Sequence, residues 1–267
     1  MDSKKDLSAK LYTGSAVFSW LVVAAGQWLF VLYIVGLYVI SGLRGDFTDW
    51  NQVLPHGYEK NNLTGNVILG AHLVLAATIS ALGSLQLVPY LRSHAPRFHR
   101  ISGRVYIITA FIMATSGLYL ILSGRKLVGD YTQYLAITIN ALIIICAAAL
   151  TIRYAIAKNF IQHRRWALRL FWAVSGVWLV RVGLMCWLVI FQKPVGFDPK
   201  TFSGPFLTVL AVSVYILPLL ILEAYFRVKN TKPLARYLFS VSLIITTLLM
   251  ALGIFGATMG IWIPRVF

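Results

Sequence analysis

Residues 134–152 read YLAITINALIIICAAALTI and contain no charged side chain. A helix rises about 1.5 Å per residue, so about 20 apolar residues cross the ~30 Å hydrocarbon core of a bilayer. This segment is the centre of an apolar stretch at 133–157 that is long enough to do so. Comparable stretches lie on both sides of it, at 16–41, 66–91, 102–123, 166–192, 204–226 and 237–263.

The composition agrees with this pattern of spans. Hydrophobic residues make up 59% of the chain and charged residues 12%, with a mean hydropathy of +0.77. Little sequence is left for a soluble domain. We therefore predict an all-α fold, a polytopic transmembrane bundle of seven spans that forms a single integral membrane domain over 1–267. The first apolar run is too long for a cleaved signal peptide and is expected to remain as a span.

The positive charge is unevenly distributed between the two sides of these spans. The formal net charge is +16, and 16 of the 24 Lys and Arg residues lie on one side if the N-terminus is inside. The positive-inside rule then predicts an inner N-terminus and an outer C-terminus. This bias accounts for the high pI, so the basic charge does not predict nucleic-acid binding. It predicts contact with anionic lipids on the cytoplasmic face, in a bacterial cytoplasmic (inner) membrane, with Arg100, Arg104, Arg164 and Arg165 facing lipid phosphates.

Two charged residues within the predicted spans need an explanation, Arg181 and Glu223. Arg181 is about 15 Å from the outer end of the fifth span, where an arginine costs at least ~2.5 kcal/mol to insert. Glu223, the only carboxylate in a span, lies near the inner end of the sixth, at the wrong depth to pair with Arg181. Two interpretations stay open for Arg181. It faces a water-filled cavity or a bound anion, or it binds carbonyl groups at a helix break near Asn140.

Three histidines are candidate ligands. His72 lies about two turns inside the second span, whereas His99 and His163 lie at the inner boundary before the third and fifth spans. Histidines at matched depth on two helices can hold haem b, and all three are possible haem ligands. The alternative is that they are hydrogen-bonded structural residues. His163 and Arg181 are 18 residues apart, five helical turns, so an unbroken helix would present both on one stripe. We expect His72 and Arg181 to face one interior cavity in the outer half of the membrane.

Two motifs carry a resemblance to a known family. His99-Arg100-x-x-Gly103-Arg104-Val105-Tyr106 resembles the signature H-R-x-x-G-R-V-Y of the predicted membrane proteins known as domain of unknown function 2306. His163-Arg164-Arg165-Trp166-x-x-Arg169 resembles the second signature of that family. The resemblance extends over about residues 65–226 and takes in His72, Arg181, Leu217-Pro218-Leu219 and Leu222-Glu223. It implies the membrane architecture and carries no established activity.

Three classes of function are compatible with these residues. The first is a redox protein that binds haem b or a quinone, with His72, Arg181, His99, His163 and Glu223 as candidate ligand contacts. Arg181 would polarise a quinone carbonyl or neutralise a propionate. The second is an accessory or scaffold subunit of a membrane complex, and the third is a transporter of anions or small molecules. The sequence shows no inverted repeat and few residues that interrupt helices, so we favour the redox class.

Overall fold

The computed structural model describes residues 2–52, 58–122 and 131–266, and these are helical along almost their whole length. No β-strand forms in these three ranges. In chain order the elements are α1 (Asp2–Ile34), a π-helical segment π1 (Val35–Ile40), α2 (Ser41–Arg44), a 3₁₀ turn (Phe47–Gln52), α3 (Leu63–Gln86), α4 (Pro89–His94), α5 (Pro96–Leu122), α6 (Tyr131–Ile156), α7 (Phe160–Val174), α8 (Gly176–Phe191), α9 (Pro205–Val228), α10 (Pro233–Ala257), a second π-helical segment π2 (Thr258–Trp262) and α11 (Ile263–Val266).

The prediction of an all-α multi-pass protein is confirmed. Six helical runs in the described part of the chain are long and apolar enough to cross a membrane, and the bent pair α7–α8 supplies a seventh if it is one broken span. The boundaries differ most at the first span, which begins at Leu7 rather than at 16, and at the third, which begins at Pro96 rather than at 102. Proline suits the first position of a helix, because its missing N–H would have no partner there. Ser123, the last residue of that predicted span, lies outside the described residues.

The chain forms two compact units, which we describe separately. Unit one comprises Met1–Ala24 and Ala114–Gly256, and unit two comprises Ala25–Met113 and Ala257–Phe267. Unit one contains the start of α1 with α6 to α10, and unit two contains α3, α4, both π-helical segments and the start of α5. The single integral membrane domain predicted over 1–267 stays a prediction.

Unit one contains a sharp bend between α7 and α8. Their axes differ by 53° at Ser175, the residue between the two helices. Its N–H still donates to the Phe171 carbonyl at 3.1 Å, and its carbonyl accepts from the Leu179 N–H at 2.9 Å. Asn140 of α6 is 7% exposed, and its Nδ2 donates to the Ala173 carbonyl at 3.1 Å. Polar backbone groups inside a bilayer need partners from the protein. Asn140 therefore adds a side-chain hydrogen bond from a neighbouring helix two residues before the bend.

The bend also depends on a close approach between α8 and α9. A Cβ atom at Gly176 would overlap the ring of Tyr215, which is buried. Further along α8, a Cβ atom at Gly183 would lie 2.6 Å from Leu210 Cδ1. Glycine at these positions lets the two helices pack closely, which is how helices associate when lipid leaves no hydrophobic driving force between them.

This bend overturns one geometric expectation from the sequence. The five-turn spacing of His163 and Arg181 predicts a shared stripe only if the helix between them is continuous. His163 lies on α7 and Arg181 on α8, on opposite sides of the bend. The bent pair α7–α8 is one such interruption among the candidate spans of the described residues. No proline lies at the bend, and the predicted apolar stretch 166–192 runs through it, so neither signal in the sequence predicts the bend.

Unit two has an aromatic cluster that joins the end of α1 to π2. The rings of Phe30 and Tyr33 lie 5.6 Å and 6.0 Å from the ring of Trp262 in π2. Trp50 Nε1 donates to the Tyr38 carbonyl of π1 at 3.0 Å. This carbonyl also accepts from the Ser41 N–H, so the indole adds a second hydrogen bond near the end of the π-helical segment. The cluster therefore fixes the end of the first span.

The Gly176–Tyr215 contact leads to a stability prediction. Gly176→Ala should lower the free energy of unfolding by about 1–3 kcal/mol, because overpacking displaces a buried ring. Gly117→Ala is the matched control, since a Cβ atom there meets nothing within 4 Å. The control should be neutral or stabilising by up to ~1 kcal/mol, because alanine favours the helix. Thermal unfolding in detergent measures the stability of both variants. Equal shifts of the unfolding temperature would contradict a cost of overpacking at the Gly176–Tyr215 contact.

Candidate functional site

The second signature lies on the first two and a half turns of α7. This helix begins where Asn159 Oδ1 accepts a hydrogen bond from the Gln162 N–H at 3.2 Å. The side chain of Asn159 thereby satisfies one of the N–H groups that a helix start leaves unpaired. From this start, the helix carries His163, Arg164, Arg165, Trp166 and Arg169 into unit one.

An ion pair joins α7 to α9 within unit one. Arg169 Nε donates to Glu223 Oε1 at 2.7 Å, and Nη2 lies 2.7 Å from the same oxygen. The side chains are 21% and 35% exposed, so the pair is neither buried in the bundle nor fully open. Both donors meet Oε1, which leaves Oε2 of Glu223 and Nη1 of Arg169 outside this interaction. The ion pair therefore leaves one carboxylate oxygen that can accept a hydrogen bond and one guanidinium nitrogen that can donate one.

Aromatic rings flank this pair. The Arg169 guanidinium carbon lies 4.4 Å from the ring centroid of Trp166 and 5.6 Å from that of Phe226. Arg165 lies 5.5 Å from the same Phe226 ring. Cations over aromatic faces gain about 0.5–2 kcal/mol, more where water is excluded. We call Trp166, Arg169, Glu223 and Phe226 the α7–α9 site; it combines charge, hydrogen-bonding capacity and flat apolar surface.

His163 lies six residues before Arg169 on α7 and contacts α6. Its Nδ1 is 3.0 Å from the Thr151 carbonyl. A carbonyl oxygen only accepts hydrogen bonds, so Nδ1 carries the proton. In the neutral ring, Nε2 then has a free lone pair, as in histidines that ligate metals. His163 therefore also ties α6 to α7 at this end of the unit.

Arg181 occupies the second turn of α8, beyond the bend. Its Nη1 donates to the Val177 carbonyl one turn earlier at 3.0 Å. Of the two interpretations that the sequence left open, this hydrogen bond agrees with the carbonyl-bound one, and Asn140 lies at the bend as that interpretation suggested. Arg181 belongs to unit one and His72 to unit two. A cavity shared by these two residues stays a prediction.

The first signature connects the start of α5 to the end of α3 in unit two. The Gln86 amide donates through Nε2 to His99 Nδ1 at 2.9 Å, and its Oε1 accepts from Ser102 Oγ at 2.6 Å and from the Gly103 N–H at 3.2 Å. In this orientation a Cβ atom at Gly103 would lie 3.0 Å from the amide nitrogen of Gln86. The glycine of this signature therefore makes room for an amide that connects two helices.

The geometry of unit two separates two of the candidate haem ligands. His72 precedes Gln86 by fourteen residues on α3, about 21 Å of helix, and Gln86 is bound to His99. His72 thus lies about 21 Å along α3 from the end that contacts His99, too far for both histidines to ligate one iron. No group of three or more His, Cys, Asp or Glu side chains that could hold a metal ion occurs in the described ranges.

The predicted lipid-facing arginines are all exposed. Arg100 and Arg104 extend from the first turns of α5, and Arg164 and Arg165 from the first turns of α7. Each lies within two turns of the start of a membrane helix, where long cationic side chains can reach phosphate groups. Their contact with lipid phosphates stays a prediction.

Sequence reasoning identified Glu223 but not its partner. Arg169 was named only as the last residue of the second signature and as one of the positive charges on the inner side, without a partner. The available signal was its spacing from Trp166, because residues three apart lie on one face of a helix, which predicts a contact between Arg169 and Trp166. The distance of 54 residues between Arg169 and Glu223 left the pairing itself unpredictable.

Comparisons with known proteins agree with the two signatures. The family model described as "Predicted membrane protein (DUF2306)" matches residues 69–221, more than half of the chain. No curated protein matches the chain. No solved structure matches it either. The matched segment contains both signatures and Arg181 and ends two residues before Glu223. The chain belongs to the DUF2306 family of predicted membrane proteins.

Proposed function

We propose that the protein binds a quinone, or a related lipid-soluble carbonyl compound, at the α7–α9 site. The observation that carries the proposal is the half-open Arg169–Glu223 pair between the rings of Trp166 and Phe226. Small-molecule sites typically combine apolar or aromatic surface with a few polar groups that fix orientation. The α7–α9 site has both features at one end of unit one.

The unpaired atoms of the site suit both redox forms of such a ligand. A quinone carbonyl accepts a hydrogen bond, which Arg169 Nη1 can donate. A quinol hydroxyl donates a hydrogen bond, which Glu223 Oε2 can accept. Hydrogen bonds to charged groups contribute about 1.5–3 kcal/mol each. The proposal covers binding and the position of the exchangeable proton. The ligand roles of His72, Arg181, His99 and His163 remain predictions.

The test compares the two redox forms on one variant. Glu223→Gln keeps the shape of the side chain and an oxygen for Arg169, but it removes the charged acceptor. Decylubiquinol should therefore bind about ten-fold more weakly to the variant, whereas decylubiquinone should lose less affinity. Equilibrium titration of the purified full-length chain, followed by tryptophan fluorescence, measures both affinities.

The control for this experiment is Glu59→Gln, which removes one carboxylate from an exposed loop of unit two. It should leave both affinities unchanged. If Glu223→Gln binds decylubiquinol and decylubiquinone each with the same affinity as the wild type, the α7–α9 site is not the quinone site. A Soret band in the wild type after haem supplementation, lost in His163→Ala, would instead favour haem b.

We also propose an inner N-terminus and an outer C-terminus, in a bacterial cytoplasmic membrane. The support is the distribution of Lys and Arg, since loops that remain inside collect positive charge. In this orientation the α7–α9 site faces the cytoplasmic leaflet.

Reporter fusions test this orientation. Alkaline phosphatase fused after Phe267 should be active, because it folds only outside the cytoplasm. The same enzyme inserted in the α6–α7 turn at Lys158 should be inactive, and green fluorescent protein inserted there should be fluorescent. The reverse pattern at both positions would contradict the orientation.

A further inference from the structure

We propose that unit one binds a buried water molecule at the α7–α8 bend, held by Asn140 of α6 and Trp178 of α8 and apart from the α7–α9 site. Asn140 is 7% exposed and Trp178 is 3% exposed, so both side chains lie in the interior of unit one. Each carries one polar atom that is inaccessible to solvent and makes no hydrogen bond with the described part of the chain. One of these atoms is an acceptor and the other is a donor.

The acceptor is Oδ1 of Asn140. The Nδ2 atom of the same amide donates to the Ala173 carbonyl at 3.1 Å, which places the amide beside the last turn of α7. Reversing the amide would set Oδ1 against the Ala173 carbonyl oxygen, two groups that only accept, so the hydrogen bond determines its orientation. Oδ1 is therefore an acceptor without a donor next to the bend.

The donor is Nε1 of Trp178, in the first turn of α8. The first N–H groups of a helix have no partner within the helix, so this turn also presents backbone donors. Ser175 precedes it at the N-cap position and makes no side-chain cap hydrogen bond there. Its hydroxyl donates instead to the Phe171 carbonyl of α7 at 2.8 Å. The start of α8 is thus a donor side of the bend, opposite in character to Asn140 Oδ1.

The two atoms together determine the class of ligand. An anion would accept from Trp178 Nε1 but would meet Asn140 Oδ1 as one acceptor against another. A metal cation would suit Oδ1 but not the indole N–H, and no cluster of His, Cys, Asp or Glu in the described ranges could hold one. Water both donates and accepts, and a buried water typically makes about three hydrogen bonds to groups that the protein leaves unpaired. Sharp bends are also places where water inserts beside a helix.

This water connects α6 to both halves of the bent pair. Asn140 binds α7 directly, through the Ala173 carbonyl, and it binds α8 through the water. A polar group in a dry interior needs a partner, and water supplies one to Oδ1 and to the indole without a further side chain. The bend is therefore hydrated at one point inside an otherwise apolar part of unit one.

Water-edited solid-state NMR of the full-length chain in phosphatidylcholine vesicles tests the site. Magnetisation passes from water protons to N–H groups that lie beside a bound water. Signals missing from Asn140→Ser and Trp178→Phe assign the Asn140 amide and the Trp178 indole. Trp50 is the dry reference, because its buried indole N–H donates to the Tyr38 carbonyl. In the wild type, Asn140 and Trp178 should each receive about three-fold more water magnetisation than Trp50.

Trp178→Phe tests whether the indole helps to hold the water. It keeps a ring but removes the N–H, so transfer from water to the Asn140 amide should fall about two-fold, because the water loses one of its hydrogen bonds. Thr138→Val is the matched control on α6, since its hydroxyl donates to the Tyr134 carbonyl of its own helix. The control should leave the transfer unchanged. Two results would overturn the proposal: wild-type transfer to Asn140 and Trp178 no greater than to Trp50, or equal transfer to Asn140 in Trp178→Phe and the wild type.

Discussion

Hydrocarbon offers no hydrogen-bond partner to a backbone carbonyl or N–H group, so a protein must itself repair every interruption of a membrane helix. Around the bend at Ser175, side chains of unit one add hydrogen bonds to backbone carbonyls that lie close to it. Asn140 brings a side-chain donor from α6 to the Ala173 carbonyl. Arg181 donates to the Val177 carbonyl in the first turn after the bend. Two polar residues that looked anomalous in the sequence thus both bind backbone carbonyls around the bend.

The same constraint applies in unit two, with different residues. Trp50 donates to a carbonyl of the π-helical segment at the end of the first span, and Gln86 connects α3 to the start of α5. The first family signature has a structural role on this basis. His99, Ser102 and Gly103 surround one amide, so substitutions at these positions are expected to loosen the contact between the two helices.

The sequence predicted the spans well because span length and apolarity are properties of contiguous residues. It predicted neither the bend nor the α7–α9 site, because both depend on residues far apart in the chain. Gly176 makes room for Tyr215 of another helix, and Arg169 meets Glu223 across 54 residues. Helix periodicity carries no information about such pairings. The stripe expected for His163 and Arg181 failed for this reason, since it assumed a straight helix.

Most of the polar side chains discussed above bind backbone groups or helix ends. The Arg169–Glu223 pair differs, because Glu223 Oε2 and Arg169 Nη1 take no part in the ion pair. Infrared difference spectroscopy observes that carboxylate directly. Addition of decylubiquinol to the wild type should shift a carboxylate band, and the shift should be missing in Glu223→Gln. Identical difference spectra for the two proteins would contradict a ligand role for Glu223 and leave the pair as a structural connection between α7 and α9.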